Sequence, residues 1–268
     1  MGNTIRMDLY RLFISKTFKI NLIIVAMITL ISKPLLKFVF NITAQLAENV
    51  EKTTRGAPPL PEFPASVNLS ELIATPFGYY FLTIFCLMSV ITFAYADIAN
   101  GYVKNYAGQL VQRGLSVVSK FVVILIHNFI FMFSSLLASV IGEIVTRKIA
   151  LDSDIPQSIG TFFLKLMLLQ ALCTIILFFA TGIRHKNMAT IFGVFLGSGM
   201  LGLAYFGLNM AIGKIFVRAS IDVTEYAPDE LLRSGANIAA ANALIVSSVI
   251  IVVFLPLTIR IFETKDIK

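Results

Sequence analysis

Six long apolar runs, separated by shorter polar segments, dominate the pattern of residues along this chain. Each run contains roughly 20 residues, the length of α-helix that crosses the hydrocarbon core of a bilayer. The sequence therefore predicts an all-α, polytopic membrane protein with six transmembrane helices. The predicted spans are residues 20–40, 77–96, 121–145, 162–182, 190–212 and 239–261.

The polar segments between the runs fall into two alternating groups that differ in charge. The N-terminus, residues 97–120, residues 183–188 and the C-terminus together carry 12 Lys and Arg residues. The other group carries seven, together with most of the acidic residues. Because connecting segments rich in Lys and Arg stay in the cytoplasm, both termini are predicted to be cytoplasmic. An even number of spans agrees with this orientation.

One transmembrane domain is predicted over residues 1–268. Residues 1–19 read as an amphipathic helix on the inner membrane surface, and the alternative is a basic flank that only sets the topology. Its apolar face contains Ile5, Leu9, Leu12 and Phe13. A six-helix membrane domain follows over residues 20–261, with outer loops at about 41–75 and 213–237, and residues 262–268 form a cytoplasmic tail.

Composition supports this class of protein. The chain is 57% hydrophobic and only 14% charged, and its mean hydropathy is +0.84. A soluble domain would carry about 25% charged residues. The net charge of +7 follows from the topology of a membrane protein, in which Lys and Arg are enriched on the cytoplasmic side. We therefore expect the lipid bilayer as a partner and no binding of nucleic acid.

Signals of enzymatic chemistry are almost absent. The only histidines are His127 and His185, and neither has Cys or an acid at the spacing of metal ligands, so no metal site is predicted. The chain has no G-x-x-x-x-G-K-[ST] sequence, so we expect no catalytic residue and no ATPase site of its own. His127 lies in the third span, where it could act as a relay or hydrogen bond within the bundle.

Two further features lie within the predicted spans. Glu143 near the outer end of the third span and Lys165 early in the fourth are predicted to form an intramembrane ion pair, which could also contact a substrate. In the fifth span, Gly193, Gly197 and Gly202 are small residues that let helices approach closely. Packing within the subunit and a moving or dimer-forming helix both fit this glycine pattern.

The most informative polar stretch follows the second span. It contains Asp97, then the run Gly101-Tyr102-Val103-Lys104-Asn105, then Arg113, and Ser119-Lys120 opens the third span. With six spans and an N-terminal amphipathic helix, the chain resembles the permease subunits of the ABC-2 type transporter family, in its Gram-positive branch. Asp97 stands where that family usually has Glu, and Leu110 and Gln112 replace a Gly and a Ser.

This resemblance implies a transport subunit in a bacterial cell membrane. A separate ATP-binding cassette ATPase would bind ATP and Mg²⁺, this chain would bind no cofactor, and a second permease subunit, identical or a sister chain, would complete the transporter. The implied cargo is an exported peptide, bacteriocin or lantibiotic, or another amphipathic compound. The residues implied in docking the ATPase on the cytoplasmic side are Asp97, Gly101, Lys104, Asn105, Arg113, Lys120, Arg184 and Lys186.

Two other classes of function stay open at this point. An ion-coupled secondary transporter would need acids at the middle of the membrane or broken spans in inverted repeats. A membrane-bound enzyme or a non-transporting assembly factor is the third hypothesis. A neighbouring reading frame that encodes an ATP-binding cassette ATPase would favour the permease over both alternatives.

Overall fold

Helices account for most of the computed structural model of the chain. It describes residues 2–51, 66–78, 80–101, 114–146, 148–150, 155–215, 222–235 and 238–264. Within these ranges there are ten α-helices, a π-helical segment at Phe178–Gly182 and a 3-10 turn at Val223–Tyr226. The α-helices, numbered α1 to α10, are Gly2–Ile14, Lys16–Glu51, Leu69–Gly78, Phe81–Ala99, Leu115–Thr146, Ile155–Leu177, Lys186–Ser198, Leu201–Ile215, Pro228–Arg233 and Ala240–Thr264.

Five of these elements are long and apolar enough to cross a membrane: α2, α4, α5, α6 with its π-helical continuation, and α10. The pair α7 and α8 passes the same test together, although the two helices are bent by 74°. These elements confirm the prediction of an all-α polytopic membrane protein. Counting the bent pair as one span gives six spans, and the side of the membrane on which the termini lie stays a prediction.

The fifth predicted span is not one continuous helix, which corrects the prediction for residues 190–212. Its two halves meet at Gly199, whose φ of +73° lies in the left-handed region that ends a helix. The Arg233 guanidinium and the Tyr80 ring occupy the space where a side chain of residue 199 would begin. Because residue 199 has no side chain, Arg233 of α9 can pack against the end of α7 at this bend.

Burial differs sharply between the spanning helices. In the most hydrophobic 18-residue stretch of each helix, 56% of the residues are buried in α4 and 61% in α6, against 17% in α2 and 11% in α10. Helices α4 and α6 therefore form the centre of the bundle. Helices α2 and α10 lie at its edge, where their apolar side chains face the surroundings.

The two ends of the bundle have different structures. Helix α1 lies at the end of the bundle that we call basal. There it is close to the carboxyl ends of α4 and α10 and to the amino end of α5. At the opposite, distal end, two short parallel strands pair, β1 at Ser66–Asn68 with β2 at Lys148–Ala150. The short helices α3 and α9 also pack there, against α6.

Candidate functional site

Charged side chains from three helices meet at the basal end and form what we call the basal cluster. Its members are Asp8 and Arg11 of α1, Asp97 of α4, and Ser119 and Lys120 of α5. Asp97 is the centre, because one carboxylate oxygen pairs with Arg11 Nη1 at 2.7 Å and the other pairs with Lys120 Nζ. Ser119 Oγ donates a hydrogen bond to Asp8 Oδ2 at 2.6 Å. Helix α1 is thereby attached to both α4 and α5.

Local sequence explains how these groups reach one another. In α1, Asp8 lies on the same helical face as Ile5 and Leu12, so the apolar contacts that bury this face also bury the carboxylate. Asp97 lies in the last turn of α4, where the helix dipole disfavours a negative charge. Its two cationic partners offset that unfavourable position.

The basal cluster is buried except for the partly exposed Arg11, and it is balanced in formal charge, with two acidic and two basic members. Asp8, Asp97 and Lys120 are each no more than 3% exposed. Burial raises the pKa of Asp8, against the opposing effects of Lys120 and the hydrogen bond from Ser119. Burial therefore disfavours the ionised form of Asp8, and Lys120 and Ser119 stabilise it.

The position of Asp97 and Lys120 corrects one part of the docking prediction. Both side chains are buried and paired with each other, so neither could contact a docked protein directly. Gly101 is half-buried and has a φ of +68° at the last described position before the next segment. Lys104, Asn105 and Arg113 lie outside the described residues.

The carboxyl end of α10 contacts both segments that the family resemblance implies in ATPase docking, about 97–118 and 184–187. The Gly114 backbone N–H, near the end of the first segment, donates to Glu263 Oε1 at 3.1 Å. In the second segment, the Arg184 guanidinium lies 5.4 Å from the centre of the Phe262 ring. Lys186 is exposed two residues later. Consecutive residues of α10 thus contact two segments that are about 70 residues apart in the sequence.

A second set of polar side chains lies in the centre of the bundle. His127 hydrogen bonds through Nε2 to Ser89 Oγ and through Nδ1 to Asn128 Oδ1, both at 3.0 Å. Asn128 Nδ2 donates to Gln170 Oε1 at 2.8 Å, and Gln170 Nε2 donates to the Phe121 carbonyl. Because both ring nitrogens of His127 have partners within the bundle, the geometry favours packing over a relay.

The predicted ion pair between Glu143 and Lys165 is wrong. Glu143 instead pairs with Lys33 of α2 at 3.1 Å, because α2 packs along α5 and continues as a helix through Pro34. Lys165 faces α9, where its Nζ donates to the carbonyls of Leu232 and Ser234 at 2.7 Å each. Each charge is thus satisfied by a helix that is distant in sequence.

The glycines of the fifth span pack within this chain. A Cβ atom at Gly193 would lie 2.8 Å from Ile91 Cδ1, and one at Gly197 would lie 2.7 Å from Ile84 Cγ1, so α7 packs closely on α4. Gly202 is near Glu230 instead, with 3.2 Å between its ideal Cβ and Oε1. Gly193 and Gly197 thus serve packing within the subunit, the first of the two alternatives for this glycine pattern.

Sequence reasoning missed four members of this site: Asp8, Arg11, Phe262 and Glu263. A signal existed for the first two, since they are opposite charges three residues apart on one helix, the spacing at which helical side chains can pair. None existed for Phe262 and Glu263, which look like an ordinary end of the last span.

Within the described ranges, no group of three or more His, Cys, Asp and Glu residues is arranged to hold a metal ion. In comparisons with known proteins, no protein-family model matches this chain, and no curated protein matches it significantly.

Proposed function

We propose that this chain is the membrane-spanning permease subunit of an ATP-binding cassette transporter in a bacterial cell membrane. It works with a separate ATPase, which binds ATP and Mg²⁺, and with a second permease subunit. The chain exports a peptide, a bacteriocin or lantibiotic, or another amphipathic compound, and it has no ATPase site of its own. Both termini and the basal end lie in the cytoplasm.

One observation carries this proposal: the two segments that the family resemblance assigns to ATPase docking share a support at the carboxyl end of α10. The hydrogen bond from Gly114 to Glu263 and the contact of Arg184 with Phe262 place Gly114, near the end of the first segment, and Arg184, at the start of the second, at the basal end. A single soluble partner could therefore reach both. The basal cluster supports the same reading, since it ties α4 and α5 together on either side of residues 102–113.

In this mechanism, Asp97 and Lys120 are positioning residues. Their ion pair fixes the two helix ends that flank the docking segment, and Arg11 attaches α1 to the same point. A partner that binds two permease states with different affinity shifts the equilibrium between them. Movement of the docking segment would be passed to α4, α5 and α1 together.

The test is affinity purification of the solubilised chain, with ATP-binding cassette subunits identified by mass spectrometry and by ATP hydrolysis in the eluate. The variant Lys104→Glu, Arg113→Glu reverses two charges in the docking segment. The matched control is Arg6→Glu, which reverses an exposed charge on α1. We expect the ATPase with the intact chain and the control, and loss of the ATPase from the docking variant.

Two results would contradict parts of this proposal. An ATPase that stays bound to the docking variant would exclude Lys104 and Arg113 as docking residues and leave the transporter assignment standing. Failure to recover an ATPase with any of the chains, even after crosslinking in the membrane, would overturn the assignment itself.

A specific observation also favours a second candidate, an ion-coupled secondary transporter. The ion pair of Lys33 and Glu143 is buried, with both side chains at most 2% exposed, and intramembrane ion pairs often mark ion pathways. Transport by vesicles that contain only this protein would support that candidate. The uptake or efflux should then follow a proton or sodium gradient and disappear in Glu143→Gln.

A further inference from the structure

An apolar groove runs along the surface between α2 and α5. Its volume is about 400 Å³, and its walls are Ala26, Met27 and Leu30 of α2 and successive turns of α5 from Phe129 to Ile141. Ser134 is the one polar residue in this lining. Both walls are spanning helices, and α2 lies at the edge of the bundle, so the groove opens sideways toward the bilayer.

The length of the groove matches the hydrocarbon layer of one leaflet. From Phe129 to Ile141, α5 rises by about 18 Å at 1.5 Å per residue. One leaflet of a bilayer contributes about 15 Å of hydrocarbon. The groove is therefore long enough for one extended acyl chain, whose polar end would lie beyond Ile141 toward the distal end.

A lysine lies at that end. Lys37 is seven residues beyond Leu30, two helical turns along the same face of α2, and its Nζ donates to the Thr146 carbonyl at 2.6 Å. Thr146 is about 8 Å further along α5 than Ile141, within the polar layer of about 5–8 Å that covers each leaflet. The groove thus ends below a lysine at the depth of a lipid head group.

The charge of Lys37 remains available for an anion. An ammonium group has three N–H donors, and the Thr146 carbonyl accepts one. Within the described ranges, no carboxylate forms an ion pair with Lys37. Lys33, one turn closer to the groove, differs because it is buried and paired with Glu143.

We propose that the α2–α5 groove is a binding site for an anionic phospholipid of the distal leaflet. One acyl chain lies between α2 and α5, and the phosphate binds the Lys37 ammonium. An anionic lipid is favoured over a zwitterionic one, because a zwitterionic head group already carries its own cation beside the phosphate. This site does not depend on the proposed transport function.

The geometry favours a lipid over the other possible occupants. A second copy of this chain could fill the groove with apolar side chains alone. Such a contact would bring no negative charge to Lys37, whereas the phosphate of a lipid would. A transported peptide would need a path into the interior, but the floor of the groove is the packed contact of α2 with α5, including Thr29 and Ser135.

The chain contains no tryptophan, which allows a direct test by fluorescence quenching. Phe133→Trp places a single fluorophore in the groove. Phe163→Trp is the control outside the groove: residue 163 is exposed on α6, and its neighbour Phe162 packs on Phe129, which lies one turn of α5 from Phe133. Each variant is reconstituted in vesicles that contain brominated phosphatidylglycerol or brominated phosphatidylcholine at equal low mole fraction.

At position 133 we expect the anionic lipid to occupy the groove about fivefold more often than the zwitterionic lipid, the ratio that one lysine at a membrane surface supports. That preference should disappear in Lys37→Gln and persist in Lys19→Gln, which removes an exposed charge near the basal end. At position 163 no preference is expected.

Three results would overturn the proposal. Equal quenching by the two lipids at position 133 would mean that only ordinary surrounding lipid contacts the groove. A preference that survives Lys37→Gln would place the anion elsewhere. Protection of position 133 from both lipids, together with crosslinking of two chains through α2, would show that a second copy covers the groove.

Discussion

Replacing Asp97 by Asn removes the carboxylate at the centre of the basal cluster while keeping nearly the same shape. Lys120, whose side chain is 2% exposed, then loses its ion pair with Asp97, and the formal charge of the cluster changes from zero to +1. Loss of one member of a buried ion pair costs about 3–5 kcal/mol, because the remaining charge stays buried. The pair with Arg11 adds less, because Arg11 is 26% exposed and is screened by solvent.

Such a loss is large beside a typical stability of about 5–15 kcal/mol. It should lower the melting temperature by on the order of 10 °C. Only two cysteines are present, and both are buried in the centre of the bundle, so a thiol-reactive fluorescent dye reports unfolding of the detergent-solubilised protein. Glu225→Gln, which changes an exposed carboxylate at the distal end, is the matched control.

A double variant separates the charge effect from a loss of packing. Asp97→Asn with Lys120→Met leaves Asp8 and Arg11 and restores a neutral cluster. We expect it to recover part of the lost stability, with a coupling free energy of about 0.5–3 kcal/mol between the two positions. The reasoning fails if Asp97→Asn melts together with the Glu225→Gln control, or if the double variant is no more stable than the single variant.

Three further changes test other parts of the fold. Gly197→Ala should destabilise the protein by about 1–3 kcal/mol in the same assay, because its Cβ would be forced against α4. Gly207→Ala should instead stabilise it by about 0.5–1 kcal/mol, because no atom lies within 4 Å of the new Cβ and Ala is favoured over Gly inside a helix. Burial raises the pKa of Asp8 above its ordinary value of 3.8, so the unfolded chain releases this proton at a lower pH than the folded chain and stability falls as pH rises from 3.8 to the folded pKa. Asp8→Asn removes this titration and should therefore gain stability relative to the native chain as pH rises above 3.8; a constant difference would refute this. Lys165→Met should speed hydrogen exchange in α9, measured by mass spectrometry, because it removes two hydrogen bonds to carbonyls there, and unchanged exchange would mean that Lys165 does not hold α9.

The spanning helices were predictable because a bilayer demands long apolar runs, and hydropathy records that demand residue by residue. The last span shows the accuracy of this reading, with α10 at Ala240–Thr264 against the prediction of 239–261. Hydropathy marks the hydrocarbon layer, not the ends of a helix. Helix α2 therefore extends to Glu51, well past the predicted end at residue 40, and α5 begins at Leu115, six residues before the predicted start.

The choice of partners was not predictable, because it depends on which helices pack together. The short loop between the third and fourth spans made Lys165 the nearest candidate for Glu143 in the sequence. The actual partner, Lys33, is 110 residues away and is brought to Glu143 by the contact of α2 with α5. The bend at Gly199 was hidden for a similar reason, since it depends on the distant residues Tyr80 and Arg233.

The links at the basal end differ in how easily they can break, and this difference orders the movements expected of the proposed permease. Asp97 and Lys120 are buried, so separating them would expose or isolate two charges and cost about 3–5 kcal/mol. Glu263 is exposed, and its hydrogen bond to Gly114 contributes about 1.5–3 kcal/mol at most, because water can replace it. A force applied to residues 102–113 by a docked ATPase should therefore move α4, α5 and α1 as one unit. Helix α10 is the element that should separate from that unit first.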